Sequence, residues 1–105
     1  MTTSTADVRT DRPGRYGKQL VSHLSRHSVG EWSDESQSGS ISFDAGRATL
    51  RSSDGVLHLE VEGDDIARLE DVVGRHLVRF GAKDELVVQW TRDDGAAGTQ
   101  QRNDG

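Results

Sequence analysis

Three histidines are the residues whose type and spacing could do chemistry in this chain of 105 residues. His23 and His27 lie in GRYGKQLVSHLSRHSVGEW, residues 14–32, which has the pattern of an amphipathic helix. Side chains four residues apart share one face of an α-helix, with Cβ atoms about 6 Å apart. His76 falls on the apolar face of a second predicted helix. We therefore expect the three imidazoles to converge where the two helices meet.

Such a convergence would suit a metal ion. Three ring nitrogens, one pair from the first helix and His76 from the second, leave a coordination position open for water or substrate. The same nitrogens could serve as axial ligands of haem iron. Zinc and iron or haem are therefore the candidate cofactors. The alternative is that each ring is a core or groove residue hydrogen-bonded to a carbonyl or hydroxyl group. The lack of an HExxH motif and of cysteine favours this alternative.

Other catalytic motifs are missing from the sequence. It contains no G-x-S-x-G, no Walker loop and no G-x-G-x-x-G. Tyr16 falls in the same helical sector as His23 and His27, and we expect it, with Gln19, to line a groove beside the imidazoles. No catalytic residue is assigned, so binding is favoured over catalysis.

Charge and composition exclude several classes of partner. The chain has 18 acidic and 13 basic residues, a formal charge of −5, without a basic run, which argues against nucleic acid. No apolar stretch approaches the ~18 residues of a membrane span, and no secretory signal is recognisable. Without cysteine there are no disulfides or thiolate ligands. A cytoplasmic bacterial protein without a membrane or nucleic-acid partner is expected.

The pattern of apolar residues predicts one domain. We expect a flexible N-terminal segment at 1–13 that could include a short strand, a domain at 14–92, and a disordered tail at 93–105. A core drawn from so few residues favours two layers.

Helices are predicted over 15–28, with Gly30 as the exit, and from a cap at Asp64 or Asp65 to Phe80, with Gly81 in a left-handed conformation. Strands are predicted in VGEWSDE, SISF, GRATLRSS, VLHLEVE and ELVVQW. The predicted fold is α+β, with two helices packed on one face of a curved antiparallel sheet of four to five strands.

The other face of that sheet is predicted to be polar. Alternation turns two arginines of one strand toward a histidine and two glutamates of the next: Arg47, Arg51, His58, Glu60 and Glu62. We expect an ordinary solvated surface there, with His58 exposed. The alternative is that this surface forms a homodimer or contacts another partner.

The sequence resembles a bacterial family known as domain of unknown function 2218 over roughly residues 14–90. The motif residues are Arg15, Tyr16, Gln19, Leu20, His23 and His27, followed by His76, Leu77, Arg79 and Phe80. Relatives often have Cys at the positions of Val21 and Ala48, and Leu at that of Gly17. The resemblance implies a small cytosolic domain of unestablished activity, and similar domains occur attached to siderophore-interacting flavin reductases.

Three functions remain open at this point. The first is a non-enzymatic binding or accessory module linked to iron or siderophore metabolism, with a flavin reductase of that kind as a partner. The second is a metal- or haem-dependent enzyme using the same histidines. The third is a structural or oligomerisation domain that uses the polar face of the sheet.

Overall fold

A computed structural model describes residues 2–26, 28–44, 46–81 and 85–102. Within these residues the chain forms two helices and seven strands. In chain order they are β1 (Thr2–Arg9), α1 (Pro13–Leu24), β2 (Val29–Ser33), β3 (Ser38–Phe43), β4 (Gly46–Ser53), β5 (Val56–Gly63), α2 (Ile66–Phe80), β6 (Val87–Arg92) and β7 (Ala97–Arg102). The predicted α+β class is confirmed.

The strands form one antiparallel sheet in the order β2-β3-β4-β5-β1-β6-β7. The prediction of four to five strands was too low, because the two ends of the chain also enter the sheet. β1 pairs with β5 along its whole length and with β6 on its other side, and β7 pairs with β6. The expected flexible segment and disordered tail thus differ from the structure over 2–9 and 97–102.

Both terminal strands lack the apolar alternation that marks the central ones. In β1 the inward residues are the small Ser4, Ala6 and Val8, all buried. In β7 the buried inward position is that of a polar side chain, Gln101. A strand that buries small or polar groups gives no hydrophobic period-two signal, although its backbone can complete the hydrogen-bonded ladder.

The helices cover one face of the sheet, as predicted. Along each central strand, buried and exposed residues alternate, and the buried ones join the helix residues in a single core. α1 packs over β2 to β5, and α2 packs over β1 and β4 to β7. Most of the largest fully buried side chains are aliphatic, but they include Trp90 and one carboxylate, Glu70.

α1 is shorter at its end than predicted. It begins at Pro13 and ends at Leu24, because the chain turns and enters β2 at Val29. Gly30, predicted as the helix exit, lies within β2. A Cβ atom at Gly30 would lie 3.0 Å from the Cβ of Ser25, so glycine allows the edge strand to approach the turn after α1.

α2 matches its predicted bounds, and its cap is Asp65, whose carboxylate accepts a hydrogen bond from the amide of Arg68 at 3.4 Å. Gly81 follows the helix but is not left-handed, since its φ is −96°. Glycine is favoured at position 81 because a Cβ atom there would overlap the side chain of Leu86. The predicted conformation was therefore wrong, although the position of the helix end was right.

Gly17 does not leave a gap on α1. A Cβ atom at this position would lie 2.8 Å from two carbons of the Trp32 ring and 3.2 Å from Leu57. The indole of β2 occupies the volume that a larger side chain on α1 would require. The glycine therefore lowers helix propensity but brings a partly buried aromatic ring against the core.

Candidate functional site

Two of the three histidines meet between the helices. The ring centres of His23 on α1 and His76 on α2 are 5.1 Å apart, with the ring planes tilted by 46°. The ring of Phe80, one turn beyond His76, is nearly perpendicular to that of His23, with the ring centres 5.2 Å apart. Both imidazoles are half-buried. α1 ends at Leu24, and His27 lies outside the described residues.

The ring of His76 is held by a backbone group of its own helix. Its Nδ1 atom lies 2.6 Å from the carbonyl oxygen of Val72. A carbonyl oxygen only accepts, so Nδ1 carries the proton and donates. In the neutral ring, Nε2 then keeps its lone pair, which is the arrangement that holds many metal-binding histidines.

A cleft of about 440 Å³ opens beside the two rings. Its described lining residues come from α1 and the turn after it, from the end of β3, and from α2: His23, Leu24, Arg26, Ser28, Phe43, Val72 and His76. A second hollow of about 550 Å³ shares Ser28, Phe43 and Val72 with the cleft and extends to Asp44 and Arg68. Apolar and polar side chains both line the two adjoining spaces.

Tyr16 and Gln19 take other positions. The structure buries Tyr16 in the core, with 8% of its surface exposed, and leaves Gln19 exposed on α1. Neither is among the described residues that line the cleft. Both precede His23 by at least one helical turn, so the cleft lies nearer the C-terminal end of α1 than the predicted groove.

The separation of the two rings discriminates between kinds of metal site. With a metal–nitrogen bond of about 2.0–2.1 Å, an ion lies roughly 3.2 Å from the centre of each imidazole. Two imidazoles at a tetrahedral angle then have centres about 5 Å apart, and two opposite axial ligands about 6.4 Å apart. The observed 5.1 Å fits a tetrahedral pair and does not fit two axial ligands of one haem. Packed aromatic rings without an ion also lie about 4.5–7 Å apart.

A complete set of protein ligands is not assembled in the part of the chain that the structure describes. There, no group of three His, Cys, Asp or Glu side chains is placed to hold a metal ion. An ion between His23 and His76 would thus take its remaining ligands from water, from a bound small molecule, or from residues outside the described ranges.

A buried carboxylate was missed by the sequence analysis. Glu70 on α2 is fully buried and accepts hydrogen bonds of 3.0 Å from both the amide and the hydroxyl of Thr99 on β7. Glu70 is four residues after Ile66 and three before Val73, so it falls on the apolar face of its helix. This spacing indicates a buried position, but an acidic residue is usually expected to be exposed.

The fourth histidine lies on the opposite face of the sheet. His58 is half-buried and not simply solvated, because its ring contacts Asp7 of β1. The two arginines of β4 do face the polar side chains of β5, with Arg51 opposite His58 and Arg47 opposite Glu62. Both helices of the described residues pack on the opposite face, so His58 is separated from the interhelix cleft by the thickness of the sheet.

No helix in the described part of the chain has the length and apolar character needed to cross a membrane. Fold and cleft together define a small two-layer α+β domain with an open cleft between its two helices. Residues 5–91 match the family described as "Uncharacterized protein conserved in bacteria (DUF2218)", and the chain belongs to this family. The predicted resemblance is confirmed.

A solved structure shares the fold. The NMR structure of PA4090 from Pseudomonas aeruginosa is similar with a TM-score of 0.70 and 25% sequence identity. The match covers 87% of this chain and 96% of that one. No curated protein matches the chain.

Proposed function

We propose that this protein is a small binding module and that its site is the cleft between α1 and α2. The observation that carries the proposal is the approach of His23 and His76, whose ring centres lie 5.1 Å apart at the wall of that cleft. Two half-buried imidazoles offer nitrogen ligands next to a space large enough for a small molecule.

The proposed occupant is a transition-metal ion that brings part of its own ligand shell. The ring centres are 5.1 Å apart, which is compatible with two imidazole ligands at a tetrahedral angle. The hydrogen bond from His76 Nδ1 to the carbonyl oxygen of Val72 directs Nε2 away from its own helix backbone. A chelated ion needs only two protein ligands, and His23 and His76 are the two that we propose.

The charges at the cleft favour an anionic complex. Arg26 lines the cleft and Arg68 lines the adjoining hollow, whereas Asp44 is the one carboxylate among the described residues that line them. The net charge of the whole chain is −5, so these arginines are a local exception to an acidic surface. The resemblance to domains attached to siderophore-interacting flavin reductases adds iron complexes to the candidates, and we propose iron handling as the physiological setting.

The test is a calorimetric titration of the full chain with Zn²⁺ and with Fe²⁺. Each titration is done with and without citrate as a small chelator. We expect binding of one ion per chain. His23→Ala and His76→Ala should each lower the affinity about tenfold or more, since each removes a ligand. His27→Ala tests the expected third imidazole in the same assay.

The matched control is His58→Ala, which removes an imidazole from the other face of the sheet and should leave the affinity unchanged. Binding that is unaffected by His23→Ala and His76→Ala would place the ion elsewhere. No binding of either ion, with or without citrate, would refute the metal site.

A further inference from the structure

The uncovered face of the sheet carries an ordered row of charged side chains across three strands. Arg51 of β4 stands opposite His58 of β5, which stands opposite Asp7 of β1. The Nδ1 atom of His58 lies 2.5 Å from Oδ1 of Asp7. The row therefore includes an imidazole whose orientation is fixed by a carboxylate and which faces away from the core.

The contact with Asp7 determines how His58 can bind anything else. An ionised carboxylate only accepts, so Nδ1 of His58 carries the proton and donates a hydrogen bond to Asp7. Nε2, at the opposite side of the ring, has no hydrogen-bond partner in the described part of the chain. In the neutral ring it is an acceptor for a donor on a ligand.

A shallow hollow of about 440 Å³ surrounds this ring. Arg51 and Glu60 line it, together with the hydroxyls of Thr5 and Thr49, which stand on either side of Glu60 in the next row of the sheet. No carboxylate among the described residues forms an ion pair with Arg51. The hollow thus places an unpaired guanidinium beside three acceptors, the carboxylates of Glu60 and Asp7 and Nε2 of His58.

We propose that this hollow is a second ligand site, which takes a small zwitterion with the chemistry of a free amino acid. Arg51 holds the carboxylate through paired N–H donors, and the threonine hydroxyls add donors to it. The ammonium group donates to Glu60 and to Nε2 of His58. The site lies on the face opposite the interhelix cleft and does not depend on the function proposed for that cleft.

The test is an NMR titration of the isotope-labelled full chain with glycine, with acetate and methylammonium as probes that each carry one of the two charges. We expect saturable shifts on β4, β5 and β1 with glycine, and weaker binding of either single-charge probe. Arg51→Gln should weaken glycine binding at least about tenfold, because the bidentate contact is lost. Glu60→Gln should lower the affinity for glycine to that for acetate.

The control variant is Arg47→Gln, which removes a guanidinium from the same strand and face, one row beyond the hollow. It should leave glycine binding unchanged. All three substitutions are at exposed positions, and a dispersed amide spectrum confirms folding. No saturable shifts, equal affinity for glycine and acetate, or equal losses in Arg47→Gln and Arg51→Gln would overturn the proposal. Shifts confined to the interhelix cleft would also overturn it and leave the metal site to its own test.

Discussion

Glu70 and Arg92 join the middle of α2 to the end of β6 through an ion pair with two hydrogen bonds. Arg92 Nε donates to Oε2 and Nη2 donates to Oε1, each at 3.2 Å. The Glu70 side chain has no solvent exposure, whereas 28% of the Arg92 side chain is exposed. The guanidinium therefore covers the carboxylate from the solvent side, and the amide and hydroxyl of Thr99 on β7 also donate hydrogen bonds to it.

Replacing Glu70 with Gln should destabilise the fold by about 3 kcal/mol, since it leaves Arg92 without its partner and a buried network partly unsatisfied. Urea denaturation followed by circular dichroism measures the loss. Glu62→Gln is the matched control, because Glu62 is exposed on β5 and its loss should change the free energy of unfolding by less than about 0.5 kcal/mol. Equal effects of the two substitutions would contradict the role assigned to the buried pair.

Acid should weaken the fold through the same carboxylate. Burial by itself raises the pKa of Glu70, but hydrogen bonds from Arg92, Ser4 and Thr99 outweigh it and hold the pKa below its ordinary value of 4.5. The folded-state pKa is thus lower than the unfolded one. The stabilisation is complete above the unfolded value and disappears as the pH falls through the folded one.

We therefore expect the free energy of unfolding to decrease as the pH falls below about 4.5, and to decrease less steeply in Glu70→Gln. Denaturant titrations at a series of acidic pH values measure both slopes. Parallel slopes for the two proteins would show that other carboxylates control the acid response.

The two adjacent aspartates before α2 should differ in their effect. Asp65→Ala removes the carboxylate that accepts the Arg68 amide and should cost about 1 kcal/mol. Asp64→Ala changes an exposed residue outside the cap and should have a smaller effect. Thermal or urea unfolding of both variants measures the difference in stability. A larger loss in Asp64→Ala than in Asp65→Ala would show that Asp65 is not the cap.

The position after Tyr16 should not accept the leucine that is usual in similar sequences. Gly17→Leu gains up to about 1 kcal/mol of helix propensity, but it meets the Trp32 ring and should cost about 1–3 kcal/mol in overpacking. Urea unfolding and Trp fluorescence report stability and ring environment. In a Trp32→Ala background the same leucine should be tolerated, and a stabilising effect in the native background would disprove the contact.

The parts of the fold that could be predicted are those in which apolar residues follow the period of the element. β4, β5 and α2 alternate or repeat in this way, so their existence and their inward faces were predicted correctly. β7 could not be predicted, because what it buries is Gln101, which accepts a hydrogen bond from Trp90 Nε1 at 2.7 Å. Such a strand is specified by partners that are distant in the sequence.

The candidate site was predictable only in part for a similar reason. Helical spacing brought His23 and His76 to the facing sides of two helices, and the structure does pair them. Helical spacing gave no information on where α1 ends, because its end depends on the start of β2 at Val29. The contact between Asp7 and His58 required knowledge that β1 pairs with β5, and that strand was expected to be at most a short one.

The family match ends at residue 91, one position before Arg92. A fragment trimmed to that boundary would retain Glu70 and Trp90 but lose Arg92, Thr99 and Gln101, which satisfy their polar atoms. Its interior would then contain an anion and an indole N–H without counterparts, a combination that favours aggregation over folding. The hairpin of β6 and β7 therefore supplies the partners of the buried polar groups, and a fragment made for expression should include both strands.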